Sequence, residues 1–436
     1  MGDSLAFSAL NREKFLQRAA NTDFDFVFTT CGFKEAAFCL LASNQGLKCA
    51  LFYGEDFSCK LHPVVDAKSA SQKLVLAFRK QFPHLILPDE YLNVNPKVSV
   101  LKSMLPGKIQ HKDIFKYESK LQGREGDCVF LDREYKLNAN RLLMSMIKTA
   151  VRNGVIVLNH ISTERRGSSN LLISDKLSVD SKQIELHSKQ ILKLEEPNES
   201  LKANELHFLL NRKQLFLKRS LKFQVQNQLV RFIRYQDYFL GISKIGKNEK
   251  DTIKEVINQL NDLLVGDDKF EEADVFVSHI LQPSEWQFLD RALLSLQAMA
   301  KEYLQFSSGQ FIEAIAKINA IDTNFEGSIE IQQLIEYGDF RFDEAKQTGV
   351  HPIAFKNIFY RFGSEIDQLT EAAYEGRSKF DSGNKLWEHV QFWYLLQTEM
   401  ICHKQDYYNR IGKKRMFSKY ELIADEQFLD DYFSNV

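Results

Sequence analysis

The stretch Phe24–Phe57, FDFVFTTCGFKEAAFCLLASNQGLKCALFYGEDF, decides the fold. Phe26, Val27 and Phe28 make a short apolar run between Asp25 and the Thr29-Thr30 pair, as a strand buried on both faces does. Ala36, Ala37, Leu40 and Leu41 recur at helical spacing, and the step from Asn44 to Gly46 ends that helix, because Gly accepts the left-handed conformation past a helix C-terminus. Lys48 to Tyr53 then resumes an extended run. Strand, tight turn, helix, turn and second strand in this order predict the opening of a dinucleotide-binding βαβ unit.

The binding chemistry of that unit is missing. Its G-x-G-x-x-G fingerprint uses the first Gly for the turn, the second for close approach to a pyrophosphate and the third for helix–strand packing. Those places fall on Thr30, Gly32 and Glu35. Glu35 lies in the first helical turn, where the dipole favours a phosphate, and fills that field with the protein's own negative charge. Two unit charges roughly 4 Å apart at an effective dielectric of about 20 repel by about 4 kcal/mol. The acidic residue expected after the second strand, for the ribose hydroxyls, falls on Tyr53. Glu55 and Asp56 lie beyond it, and bringing an acid into that place costs a shift of register.

At 436 residues the chain is long enough for two or three domains. Its 44% hydrophobic and 26% charged residues are those of an ordinary soluble globular protein. Lys plus Arg number 57 against 58 Asp plus Glu, so no global field recruits nucleic acid or an anionic membrane. The 34 Phe residues point to a large aromatic core. Six cysteines without CxxC spacing read as buried free thiols of a reducing compartment. The N-terminus lacks the cationic and apolar regions of a signal peptide, and no run of roughly 18 apolar residues exists for a spanning helix. Cytoplasmic location is the expectation.

Further along, the pattern predicts helices around Ser71 to Arg79 and Lys97 to Met104, a Pro-bounded LILPDEYL segment, and a short strand at Cys128 to Leu131. Asn138 to Gly154 reads as an amphipathic helix with Leu142, Leu143, Met146, Ile147, Ala150 and Val151 on one face, followed at once by a buried strand, Val155 to Leu158, that joins the sheet of Phe26. ERRG at Glu164 to Gly167 reads as a turn, with a basic patch as the other reading. From Ile184 to Ser243 the period becomes two. Leu206 to Leu210, Leu221 to Val225, Leu229 to Ile233 and Tyr238 to Ile242 predict antiparallel strands, with a turn at Gln226-Asn227. A helix, Thr252 to Leu264, and a strand, Val275 to Ile280, come next. After about Ser284 helices follow one another, among them Ile329 to Glu336 and Lys385 to His403. The predicted division is 1–306, a nucleotide-binding frame with an inserted antiparallel sheet at approximately 184–243, and 307–436, a helical domain.

Several stretches in this order resemble the FAD-dependent, quinone-linked glycerol-3-phosphate dehydrogenases: FSALNREKFLQR, FDFVF through LKCALFYGEDF, NRLLMSMIKTAVRNGVIVLNH, ELHFLLNRKQLFLKRSL, YFLGIS and YLLQTEMICHKQDYYNR. The likeness spans most of the chain. It implies an α/β (α+β) fold: a Rossmann-like FAD-binding frame, an antiparallel substrate-domain sheet and a C-terminal all-helical domain. The family's functional residues do not carry over. Its Ser- and Arg-rich segment with His-Gly-Gly, which wraps the flavin, is replaced by SCKLHPVVDAK at Ser58 to Lys68. Its Gly-Thr-Thr-Asp becomes Gly241, Ile242, Ser243 and Lys244, and its Gly-Leu-Arg-Pro becomes Ile280, Leu281, Gln282 and Pro283, so that a substrate-facing arginine is Gln282. Its Gly-Gly falls on Asp290-Arg291, and the Thr-Thr-Tyr-Arg after it on Leu294 to Gln297, placing Gln297 at the second arginine. Glu399, Met400, Asp406 and Arg410 remain, in the helical domain.

The resemblance with these losses implies a degenerate, non-catalytic relative acting as an interaction or scaffold protein. The alternative is a divergent flavoenzyme oxidising glycerol 3-phosphate or a similar small hydroxylated substrate. No catalytic residue and no cofactor is expected, FAD being the one implied if any is held. A homo-oligomer or a complex with an active flavoprotein relative are the partners implied, with no nucleic acid and no transmembrane segment, and with peripheral contact at the inner face of a membrane left open. No metal is expected either: His62-Asp66, His160-Glu164 and Glu399-His403 stand four apart, but none has a third ligand close in sequence. GISKIGKN from Gly241 ends in Asn248 where a P-loop needs Ser or Thr, and Lys413, Lys414 and Arg415 read as a solvated face.

Overall fold

The computed structural model describes residues 6–57, 59, 61–65, 72–95, 108–109, 116, 118–122, 128–178, 183–193, 204–211, 217–225, 228–235, 238–245, 248–265, 269–281, 288–323, 331–411 and 424–434. The predicted helix at Lys97 to Met104, the turn Gln226-Asn227, Gln282, Pro283 and the cluster Lys413 to Arg415 lie outside these, as does part of Ser58 to Lys68.

The apolar run Phe24–Phe28 is the middle of a six-stranded sheet with order Ile156–Leu158, Cys49–Phe52, Phe24–Phe28, Gln183–Leu192, Asn170–Asp175, Ile161–Arg166. Phe26 lies opposite Cys49 on one side and Gln190 on the other, both strands parallel to it, and Ala50 lies opposite Ile156, again parallel. Burial on both faces explains why these strands read as continuous apolar runs. The helix Phe33–Ser43 connects the first two, buried from Glu35 to Ala42, and the helix Ala139–Arg152 packs its apolar face against it. The βαβ opening and the strand after Gly154 therefore stand as the sequence predicts.

Two expectations change here. Gln183–Leu192, within the stretch assigned to the inserted sheet, pairs instead with Phe24–Phe28. Its alternation persists because it is the junction between the parallel strands and the antiparallel pair Asn170–Asp175 and Ile161–Arg166. Glu164 to Arg166 are not a turn but the end of the strand Ile161–Arg166; the reversal comes at Gly167, where φ is 85°.

The second sheet has nine strands: in order Val275–Leu281, Glu205–Asn211, Tyr238–Lys244, Gln228–Arg234, Ser220–Val225, Ile86–Asn95, Cys128–Leu137 and Val64–Val65, with Lys108–Ile109 beside Cys128–Leu137. The four predicted antiparallel strands are all present. The sheet is mixed, however, because Ser220–Val225 runs parallel to Ile86–Asn95, with Leu221 opposite Leu92. The Pro-bounded segment is thus a strand, and the short strand at Cys128 runs on to Leu137. Gly241 is there for close approach: a Cβ on it would stand 2.3 Å from Cζ of the buried Phe208 ring. The helix Glu249–Leu263 covers one face through Ile253, Val256, Ile257 and Leu260.

Helices follow from Leu289. Leu289–Tyr303 and Ser308–Ala316 bury Leu293, Leu296, Phe311 and Ile315 in the core of the first sheet. Ile331–Ala345, Pro352–Phe362, Ile366–Gly376, Gly383–Thr398, Lys404–Ile411 and Glu426–Ser434 surround a second core around Trp387, Phe355, Phe359 and Leu395. The helix expected to reach His403 stops at Thr398. Met400 takes a left-handed backbone (φ 48°), donates its N–H to Phe7 O at 3.0 Å and inserts its side chain into the first core. Among the described residues no helix is long and apolar enough to cross a membrane.

Candidate functional site

Gly32 caps the helix Phe33–Ser43 with extended backbone and no capping side chain. A helix start carries unpaired N–H groups and partial positive charge, which is where this fold receives a pyrophosphate. Glu35 folds back over it. Its carboxylate, 5% exposed, accepts from Thr30 Oγ1 at 3.2 Å, and Oε2 lies 3.0 Å from where a Cβ on Gly32 would stand. Thr30, Gly32 and Glu35 are thus brought together, and a pyrophosphate would share its place with a buried charge of like sign. The residues at this helix start do not fit that group. Cys31 beside them is no ready nucleophile, since burial, then the carboxylates of Glu35 and Asp56, push its thiol well above the usual range.

Tyr53 follows the strand Cys49–Phe52, its N–H donating to Leu158 O at 3.0 Å and its carbonyl accepting from Ile161 N–H at 2.8 Å. Glu55 is exposed. Asp56, one of the two acids open to a ribose in the sequence, is committed elsewhere: Arg410 grips it with two bonds of 2.6 Å, and Asn159 and Asn409 donate to it at 3.1 and 3.0 Å. Burial alone would raise its carboxyl, but Arg410 and the two amides outweigh burial and hold it below the usual value. A shift of register therefore does not free it.

Asp56 belongs to a buried ionic network tying the first sheet to the last helices. Arg12 makes a bidentate pair with Asp175 at 2.9 and 2.8 Å and donates to Asn159 O at 2.6 Å. Arg141 makes another with Glu399, both bonds 2.8 Å, and Lys148 pairs with Glu365. Asp322 accepts from Ser145 and lies 3.1 Å from His84 Nε2. Burial opposes the Glu399 charge, yet Arg141 and Lys148 keep it below its normal range. For Glu365 burial prevails over Lys148, and its carboxyl is raised. Glu399 and Arg410, which the sequence left in the helical domain, are the links that close this network.

Beside it opens a cavity of about 1030 Å³ where the second sheet meets both the first sheet's loops and the helices. Lys136, His207, Arg234, Tyr235 and Tyr238 line it from the sheet and its ends, Cys59, Leu61 and Asn138 from the loops, and Asn140, Lys356, Tyr360, Arg361 and Arg410 from the helices. A concave, mixed apolar and cationic space at such a junction is suited to a small ligand. The other sequence-stressed positions lie apart. Asp290 and Arg291 start the helix Leu289–Tyr303, Gln297 is half-buried along it, and Gly241 to Lys244 run through the strand Tyr238–Lys244.

The sequence reading missed Arg12, Arg141, Lys148 and Asp175. A signal existed for two of them: Arg141, Ser145 and Lys148 stand at i, i+4 and i+7 on a helix buried on that side, a polar stripe at helical spacing. It also missed a group in which His62 meets Glu205 and His207, and another of Asp56, His160 and Asp406. Glu205 and His207, two apart on one strand, were the legible half; His62 joins them only through the fold.

No family model matches the sequence, and no curated protein matches it. Among solved structures, the fold is similar to that of the glycerol-3-phosphate dehydrogenase from Bacillus halodurans complexed with FAD, at a TM-score of 0.71 and 15% identity over 99% of this chain and 95% of that one. Glycine oxidase from Geobacillus kaustophilus (TM-score 0.46, 10% identity, 66% of this chain and 96% of that one) and FAD-bound L-alpha-glycerophosphate oxidase from Mycoplasma pneumoniae (0.43, 9%, 66% and 96%) also match. The chain thus has the fold of an FAD-dependent oxidoreductase, a Rossmann-like frame with a second sheet and C-terminal helices.

Proposed function

We propose that this chain is a non-catalytic relative of the FAD-dependent glycerol-3-phosphate dehydrogenases that keeps their fold as an interaction or scaffold protein. The observation that carries this reading is the buried carboxylate of Glu35 over Gly32, at the helix start that a dinucleotide needs. The commitment of Asp56 to Arg410 supports it, since that acid is then unavailable to a ribose. The division into 1–306 and 307–436 and a complex with an active flavoprotein relative or a second copy belong to the same proposal. A cytoplasmic setting is favoured by the free thiols at Cys31, Cys39, Cys49, Cys59 and Cys402.

The test is the flavin content of the purified full chain. The expected preparation is colourless, releases no FAD on denaturation and leaves the fluorescence of added FAD unchanged. A yellow preparation releasing FAD near one equivalent, and reducing a dye with glycerol 3-phosphate, would establish the flavoenzyme instead.

A further inference from the structure

Glu205 and His207 stand two residues apart on the strand Glu205–Asn211, so their side chains leave the same face. His62 reaches them from the loop before Val64. Glu205 Oε2 lies 3.1 Å from His62 Nε2 and 3.2 Å from His207 Nε2, and all three ligand atoms fall within 4.8 Å of one another. His62 is fully buried, its ring against Phe288 at 4.5 Å and edge-on to His207 at 5.8 Å, while His207 lines the cavity. We propose that His62, Glu205 and His207 bind one divalent transition-metal ion of the zinc class, with its fourth position open to the cavity.

The donor set and its spacing both favour this over a purely hydrogen-bonded triad. Two imidazoles and one carboxylate are a zinc set that leaves a position free. With metal–ligand bonds of roughly 2.0 to 2.1 Å, the edge of a tetrahedron is roughly 3.3 to 3.4 Å. The two separations to Glu205, 3.1 and 3.2 Å, are close to that edge, and the two imidazole nitrogens lie within 4.8 Å of each other. The backbone of Val64 supports either occupancy. Its N–H faces His62 Nδ1 at 3.1 Å and its carbonyl at 3.3 Å. Without metal, the N–H donates to Nδ1 and Nε2–H points to Glu205; with metal, Nδ1–H donates to the carbonyl and the Nε2 lone pair faces the ion. The change of tautomer gives up the Val64 N–H bond to Nδ1 in exchange for the one from Nδ1–H to the carbonyl.

The neighbouring group of Asp56, His160 and Asp406 makes the contrast. There Arg410 already neutralises Asp56, and Asp406 accepts the backbone N–H groups of Cys402 and His403 at 2.9 and 3.1 Å. Among the described residues no Lys or Arg pairs with Glu205, whose partners are the two imidazoles. A cation would there replace two imidazole N–H groups on the carboxylate.

This goes beyond the scaffold reading, and its test does not depend on flavin content. Untagged full-length protein, stripped with chelator, is titrated with Co²⁺ and followed by visible d–d absorption, then back-titrated with Zn²⁺. The expected result is a tetrahedral spectrum saturating at one equivalent and abolished by Zn²⁺. His207→Gln and the near-isosteric Glu205→Gln are expected to weaken binding by at least about a hundredfold, the upper end of what loss of even an outer partner costs. His160→Gln is expected to leave it unchanged. No Co²⁺ spectrum in folded protein overturns the proposal, as does undiminished binding in whichever of the two ligand variants retains the native circular dichroism.

Discussion

Replacing Arg410 by methionine tests the network that joins the last helices to the nucleotide-binding frame. Arg410 is 2% exposed and gives Asp56 two bonds of 2.6 Å; Asp56, 8% exposed, keeps only the amides of Asn159 and Asn409 when they are lost. Leaving one partner of a buried pair uncompensated costs about 3–5 kcal/mol, a large share of a typical stability of about 5–15 kcal/mol. With a urea m value of about 3 kcal/mol/M, the midpoint should fall by at least about 1 M. Asp56→Asn added to Arg410→Met removes the stranded charge and keeps an acceptor for both amides, so the double variant should recover at least half the loss. The pH dependence has a definite sign. The folded Asp56 carboxyl lies below its usual 3.8, so its contribution is fully present above that value and is lost as pH falls through the depressed one. In Arg410→Met burial prevails, the folded value rises, and the deficit against wild type should shrink on acidification. A single variant within about 1 kcal/mol of wild type at pH 7, with a deficit indifferent to pH, would falsify the reasoning.

Three further outcomes are expected. Gly241→Ala puts a Cβ 2.3 Å from the Phe208 ring and should cost about 1–3 kcal/mol by thermal unfolding, part of it returned by Phe208→Leu. Gln305→Gly should stabilise by about 0.5–1 kcal/mol, because Gln305 is exposed and holds φ at 57° after the helix Leu289–Tyr303, a strain that exceeds glycine's entropic cost. Thr30→Gly with Glu35→Gly should raise affinity for ADP or FAD in a fluorescence titration, since removing a repulsion of about 4 kcal/mol is worth about a thousandfold, without conferring dye reduction by glycerol 3-phosphate.

What the sequence made legible was the part governed by local periodicity. Phe26 to Phe28 and Val155 to Leu158 declared a two-sided burial in their composition, as the structure shows; Leu142 to Ala150 declared one buried helix face, but the structure buries the polar Arg141, Ser145, Lys148 and Thr149 of the same helix as well. Strand partnership was not local. Gln183–Leu192 alternates like the strands that follow it, and only the crossover geometry assigns it to the first sheet rather than the second. Glu35 was legible because its position is fixed relative to a turn. The partners of Asp56 were not, since Arg410 lies 354 positions away, and the same holds for Arg12 and Asp175, 163 apart.

The distribution of these long-range pairs bears on how a cofactor frame keeps its shape when its phosphate end is self-filled. A helix start with spare N–H groups and a sheet edge with spare carboxylates are costly to bury unpartnered. At the first, Glu35 of the helix's own first turn lays its carboxyl group beside Gly32 and accepts from Thr30 Oγ1. For the second, Arg410 meets Asp56, Arg12 meets Asp175, and the early stop of the helix Gly383–Thr398 lets Glu399 reach Arg141 while Met400 enters the first core. Each of these cations or acids comes from a different element, so the interlock constrains orientation more than any single apolar contact does. On the proposed reading, removing Glu35 alone would therefore leave Asp56 held by Arg410, and a nucleotide would regain only the place beside Gly32.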